Sequence, residues 1–96
     1  MNVKKFLSTI HCADMTINEV LEETDTYPVT IDSLKSDLQD EDLQDDEKLL
    51  DINLQLQQYL QNNPGAKVYQ HICNDESWQY VDLITGEEVA KYSYSG

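Results

Sequence analysis

The first two thirds of the chain have the apolar spacing of amphipathic helices. In the first segment, apolar residues recur at the i, i+3, i+4 and i+7 positions of one helix face, at Val3, Phe6, Leu7 and Ile10. Asn2 precedes them as a suitable N-cap. This pattern predicts a short helix over residues 3–11.

Two further helices have recognisable start signals. Thr16 and Glu19 have the spacing of a capping box, in which each side chain satisfies a backbone N–H of the other residue. They predict a helix that runs to about Thr24. Thr30 can cap a third helix with a thin apolar stripe, and Asp32 is favourably placed in its first turn.

The longest predicted helix covers residues 45–62. Its filler residues are Gln, Lys and Asp rather than β-branched residues, and Pro64 and Gly65 follow its end. Its apolar residues line one side, at Leu49, Ile52, Leu56, Tyr59 and Leu60. Residues 37–47, which precede and begin this segment, are compatible with either a helix or an acidic loop.

After Gly65 the spacing changes to the alternation of β-strands. Strands are predicted over residues 67–73, 78–84 and 88 to about 94. A turn at residues 74–77 joins the first two, and a hairpin turn at Thr85 and Gly86 joins the last two. The sequence therefore predicts an α+β fold, with three to four short N-terminal helices packed on a three-stranded antiparallel C-terminal β-meander. The chain is interpreted as a single domain, residues 1–96. Residues 1–63 are mainly helical and acidic, and residues 66–95 form the meander.

The distribution of charge along the chain limits the kinds of partner that it can bind. Between Asp14 and Glu47 the chain carries thirteen of its nineteen carboxylates and a single lysine, Lys35. This segment holds a formal charge of −12, thirteen negative minus one positive, out of −13 for the chain. Such a surface repels nucleic acid and anionic membranes. We therefore expect neither as a direct partner, and we expect a basic surface of another protein as the counterpart.

The densest run is residues 37–47, called here the acidic tract. Its seven carboxylates belong to Asp37, Asp40, Glu41, Asp42, Asp45, Asp46 and Glu47. If the tract were helical throughout, one charge would fall on roughly every 2.4 Å of helix axis. Duplex DNA carries one per about 1.7 Å. This similarity predicts docking on a nucleic-acid-binding surface of another protein. A second acidic patch is formed by Glu22, Glu23 and Asp25. The alternative is a solvated acidic face that serves solubility.

In charge and size, though not in any motif, the chain resembles the small acidic proteins with which phages block restriction or CRISPR enzymes. The resemblance implies an inhibitor that acts as a DNA mimic inside a bacterial host.

Aromatic residues give a hypothesis of another class. Trp78 and Tyr80 share a face of one predicted strand, and Tyr92 and Tyr94 share a face of the next. Cross-strand aromatic pairs stabilise small sheets, which explains them structurally. Alternatively, an exposed aromatic face would make the chain an adaptor or regulatory subunit, because Trp and Tyr are enriched in binding hot spots.

Metal binding and catalysis have weaker signals. A zinc site is conceivable from two ligand pairs, His11 with Cys12 and His71 with Cys73, although adjacent ligands fit one tetrahedral ion poorly. Cys12 and Cys73 could form one disulfide, but in a cytosol buried, reduced cysteines are the simpler interpretation. No phosphate loop or dinucleotide fingerprint occurs, and no carboxylate pair stands out for acid–base work. We expect no enzymatic activity and no cofactor.

The tripeptide Asp32-Ser33-Leu34 resembles the attachment site of acyl carrier proteins, in which the serine carries phosphopantetheine. The resemblance implies modification of Ser33. It covers three residues, and Thr30 and Ile31 precede them without the family's glycine. Helix capping by Thr30 explains the same residues.

The remaining expectations concern location and assembly. No run approaches the roughly 20 apolar residues of a membrane span. No sustained apolar core follows Lys4 and Lys5, as a secretory signal would require. We expect a soluble, cytoplasmic protein. An unpaired meander edge is compatible with a homodimer.

Overall fold

A computed structural model describes residues 1–93, which form one antiparallel sheet and the helices packed against it. The helices of this part of the chain are α1 (Val3–Thr9), α2 (Ile17–Glu23), α3 (Ile31–Asp37), α4 (Glu41–Gln44) and α5 (Glu47–Asn62). The strands are β1 (Thr26–Pro28), β2 (Val68–Asn74), β3 (Ser77–Asp82) and β4 (Glu88–Ser93). The strand order is β1-β2-β3-β4, and every neighbouring pair is antiparallel. The predicted α+β class is confirmed.

The predicted helix starts are present because local side chains satisfy the first backbone donors. The Asn2 side chain accepts a hydrogen bond from the Lys5 N–H at the start of α1. Thr16 and Glu19 form the reciprocal capping box of α2, with distances of 3.2 and 3.1 Å. Thr30 caps α3. These contacts span only three residues of sequence, so the local pattern was sufficient to predict them.

The sheet has four strands rather than the predicted three. The additional strand, β1, pairs with β2 through Thr26 opposite His71 and Pro28 opposite Tyr69. Pro28 lacks an N–H, which restricts it to an edge strand of this kind. A three-residue strand is too short to show alternation, and it exists only because β2 provides hydrogen-bonding partners.

Helices cover both faces of the sheet. On the face called here the α1 face, Phe6 packs with Val81. On the opposite face, called the α5 face, Leu56 packs with Tyr80. Tyr80 and Val81 are consecutive in β3 and therefore point to opposite faces. The chain crosses from one face to the other along β1, which lies at the sheet edge between α2 and α3.

The hairpin before β4 fixes the position of α1. Gly86 has φ of 75°, as its predicted turn requires. A Cβ added there would lie 2.6 Å from Lys5 Cβ and 3.0 Å from the Phe6 nitrogen. The Thr9 hydroxyl donates a hydrogen bond of 2.7 Å to the Gly86 carbonyl. The glycine therefore allows α1 to pack directly on the hairpin.

The end of the last strand and the expected absence of a membrane span can be compared with the structure only within residues 1–93. The last strand was predicted to reach about Tyr94; β4 ends at Ser93, and Tyr94 lies outside the described residues. Within residues 1–93, no helix combines the length and the hydropathy needed to cross a bilayer.

Candidate protein-docking site

The acidic tract consists of short elements rather than one helix. It begins at the last residue of α3, includes α4 and ends at the first residue of α5. Asp40 caps α4 by accepting from the Asp42 N–H at 2.9 Å. Asp46 caps α5 by accepting from the Lys48 N–H at 3.0 Å. Because each cap interrupts the helix, the charge spacing calculated for a continuous helix does not apply.

The tract carboxylates have two different roles. Asp40 and Asp46 satisfy helix starts, and Asp46 Oδ2 also accepts a hydrogen bond of 3.2 Å from the Tyr92 hydroxyl. The other five residues are exposed to solvent: Asp37, Glu41, Asp42, Asp45 and Glu47. Within residues 1–93 the single ion pair joins Lys5 to Glu87, outside the tract. The tract is therefore not neutralised by ion pairs with this chain's lysines.

The second acidic patch lies where α2 leads into β1. Glu22 and Glu23 belong to the last turn of α2, and Asp25 precedes β1; all three are exposed. The Tyr27 hydroxyl donates to Asp25 Oδ1 at 3.2 Å, and this hydrogen bond, with the negative charge of Asp25, raises the pKa of Tyr27. The Asp25 carbonyl accepts from the Ile72 N–H at 2.9 Å, which fixes the patch to the sheet.

The structure brings the tract and the patch to the same end of the sheet. Asp25 is bonded to Ile72, Ile72 lies opposite Trp78, and Trp78 lies opposite Tyr92. Tyr92 in turn contacts Asp46. With strands about 4.8 Å apart, the row from Asp25 to Tyr92 spans about 14 Å. We call this region the acidic end. The β2–β3 turn at this end adds two exposed carboxylates, Asp75 and Glu76.

The predicted aromatic face is packed beneath α5. Trp78 stacks on Tyr92 with ring centroids 4.3 Å apart, and the indole N–H donates to the Tyr80 hydroxyl at 2.9 Å. The predicted cross-strand aromatic pairing is confirmed for Trp78 and Tyr92. Tyr80 is only 8% exposed and Tyr92 only 5%, while Trp78 is half-buried. Burial also raises the pKa of Tyr80. These three rings therefore do not form the open face on which the adaptor hypothesis depends.

The four candidate zinc ligands share one region without forming a metal site. His71 is buried, and its Nδ1 lies 2.8 Å from the Thr26 hydroxyl. Burial is the main cause that lowers the pKa of His71. Cys12 is half-buried, but Cys73 is exposed, which corrects the expectation that both cysteines are buried. His11 is exposed and has φ of 61°, just after α1. Among residues 1–93, no group of three or more His, Cys, Asp or Glu residues is placed to hold a metal ion.

Ser33 is part of the α3 cap. Its hydroxyl accepts from the Thr30 N–H at 3.1 Å and donates to the Thr30 carbonyl at 2.8 Å. The capping interpretation of Asp32-Ser33-Leu34 is therefore confirmed as a structural role for this side chain.

A buried polar cluster on the α5 face was missed by the sequence analysis. The Tyr59 hydroxyl donates to Asp82 Oδ2, while the Lys67 and Ile84 N–H groups donate to Asp82 Oδ1 at 3.2 and 2.8 Å. Burial, with the Asp82 hydrogen bond and charge, raises the pKa of Tyr59 to about 12. The available signal was strand alternation, which places Asp82 on the same face as Tyr80. The cluster anchors the C-terminal half of α5 to β3.

Comparisons with known proteins give no match among protein-family models, curated proteins or solved structures. The function of the chain is therefore inferred from its geometry and its charge.

Proposed function

We propose that this chain is a small, non-catalytic binding protein whose acidic end docks on the basic, nucleic-acid-binding surface of another protein. The observation that supports the proposal is that two acidic segments lie at one end of the sheet, beside its two edge strands, and that none of their carboxylates forms an ion pair within residues 1–93. Lysine and arginine side chains that bind phosphates are attracted to carboxylates by the same long-range field.

The spacing of the two acidic segments supports mimicry of duplex nucleic acid. The sheet row between them spans about 14 Å. The major groove, which separates two lines of phosphates, is about 12 Å wide. The backbone of Asp25 and that of Tyr92, whose hydroxyl contacts Asp46, are therefore separated by a comparable distance. We therefore propose an inhibitor that occupies the duplex-binding groove of a restriction or CRISPR enzyme in the cytoplasm of a bacterial host.

The structure indicates which carboxylates can be substituted without removing a helix cap. Substitution of Asp40 or Asp46 would remove a helix cap, so a loss of binding could result from unfolding. The tract variant therefore changes three exposed residues whose side chains cap no helix start: Asp37→Asn, Asp42→Asn and Asp45→Asn. A control variant makes the same change in net charge at exposed positions elsewhere: Asp14→Asn, Asp32→Asn and Glu88→Gln.

The experiment first captures partners from a bacterial lysate at low and high salt and identifies them by mass spectrometry. The isolated partner is then titrated with labelled duplex DNA and with the wild-type chain or either variant. We expect the wild-type chain and the control variant to displace the DNA, and we expect the tract variant to do so much more weakly. The affinity of the partner for the DNA and for the wild-type chain should both fall as the salt concentration rises, because both ligands are held by charge.

Three results would contradict the proposal. If both variants lose binding equally, net charge rather than the acidic end is responsible. If both retain wild-type affinity and salt dependence, the tract serves solubility only. If the partner binds the chain and the duplex simultaneously, the docking surface is not the nucleic-acid-binding one.

A further inference from the structure

Two thiols near the α1 face have no role in the proposed docking site. Cys73 lies in β2 near the β2–β3 turn and is exposed, whereas Cys12 follows α1 and is half-buried. Both are free in the structure. They are far apart in sequence, yet the packing of α1 against the sheet brings their surroundings together.

A short series of contacts connects Cys73 to the end of α1, three residues before Cys12. Cys73 Sγ lies 3.7 Å from the Gln79 side-chain oxygen, and the Gln79 amide nitrogen donates to the Thr9 carbonyl at 3.3 Å. His11, the residue before Cys12, lines the same cavity of about 310 Å³ as Cys73. The end of α1 and the end of β2 therefore meet at this cavity.

The two thiols differ in access and in acidity. Burial raises the pKa of Cys12, with smaller contributions from Asp14 and from Cys73 itself. Cys12 therefore carries less reactive thiolate than a free cysteine at neutral pH, while Cys73 is open to solvent. Lys91 lines the cavity beside Cys73. On a strongly acidic protein, this lysine provides a local attraction for an anionic thiol reagent.

We propose that Cys73 is the reactive thiol, and Cys12 the resolving thiol, of an intramolecular dithiol–disulfide pair that is oxidised by glutathione disulfide. The Cys73 thiolate attacks one sulfur of glutathione disulfide, forms a mixed disulfide and releases one glutathione thiolate. The Cys12 thiolate then attacks Cys73 Sγ and releases the second glutathione. The chain loses two electrons and two protons, and glutathione disulfide gains both to give two thiols. This inference does not rest on the proposed docking function, although Cys73 follows Ile72 and therefore lies at the acidic end.

The test treats the full chain with glutathione disulfide, traps free thiols by alkylation and measures intact mass and cysteine-containing peptides. The wild-type chain should lose two hydrogens and yield a peptide that joins Cys12 to Cys73. The Cys12→Ser variant should stop at one glutathione adduct on Cys73. The Cys73→Ser variant should remain largely unmodified. Circular dichroism of both variants verifies that they fold.

A second measurement needs no substitution. In the native wild-type chain, alkylation of Cys73 should be at least about tenfold faster than that of Cys12, because exposure and thiolate fraction control the rate. In urea the two rates should become similar. The proposal is overturned if the wild-type chain stops at a mixed disulfide, if it forms only disulfides between chains, or if Cys12 reacts first.

Discussion

Asp46 should contribute more to the stability of the fold than the five exposed carboxylates of the acidic tract that cap no helix start. Its carboxylate accepts from the Lys48 and Leu49 N–H groups at 3.0 and 3.3 Å, and from the Tyr92 hydroxyl at 3.2 Å. In Asp46→Ala, the lost N-cap costs about 1 kcal/mol. The lost charge at the start of α5 costs about 0.5 kcal/mol. The lost hydrogen bond from Tyr92 costs about 1 kcal/mol.

Relief of repulsion within the tract offsets part of this loss. Exposed like-charge neighbours contribute about 0.5 kcal/mol or less. The expected net destabilisation of Asp46→Ala is therefore about 2 kcal/mol. The matched control is Asp45→Ala, which removes the same charge from an exposed neighbour. It should leave the free energy of unfolding within about 0.5 kcal/mol of the wild type.

Urea unfolding followed by Trp78 fluorescence measures both variants, because Trp78 stacks on the Tyr92 ring that contacts Asp46. The expected loss lowers the urea midpoint by about 1 M for a chain of this size. Asp46→Asn retains a capping oxygen and should recover most of the stability. If Asp46→Ala and Asp45→Ala differ by less than about 0.5 kcal/mol, the division of the tract into structural and exposed carboxylates is refuted.

Three other predictions concern the core, the hairpin and alkaline pH. Leu56→Ala should lower the free energy of unfolding in urea by about 2–5 kcal/mol, because Leu56 is only 1% exposed. Leu54→Ala, at a position that is 50% exposed, should lower it by less than about 1 kcal/mol. Equal losses of stability would contradict the assigned core. Gly86→Ala should lower the melting temperature, because residue 86 has a positive φ and the added Cβ would clash with α1. Gly65→Ala should leave the melting temperature unchanged, because nothing lies within 4 Å of a Cβ added there. Equal melting temperatures of the two variants would contradict this packing. The raised pKa of Tyr59 means that the folded state holds this proton more tightly than the unfolded state. Stability should therefore fall as pH rises from about 10 to about 12, and urea unfolding of Tyr59→Phe should show a smaller fall; an identical pH profile would contradict the predicted linkage.

Local sequence determined the helix starts and the strands of the meander. Thr16 with Glu19, Thr30, and Asn2 cap their helices through contacts within three residues, so no tertiary information was needed. The turn at Gly86 was similarly explicit, because positive φ favours glycine. Sequence also showed the uneven placement of the carboxylates, which is a property of the chain before it folds.

Tertiary structure decided where those features lie relative to one another. The strand β1 forms only because β2 supplies its hydrogen-bonding partners, and its position at the sheet edge places α2 and α3 on opposite faces. Alternation showed which aromatic residues share a face, but it could not show that α5 covers Tyr80 and Tyr92. Asp25 and Asp46 are separated along the sequence and meet one end of the sheet through strand pairing and side-chain contact. Contacts between distant residues depend on how the elements pack, and short-range spacing carries no information about that packing.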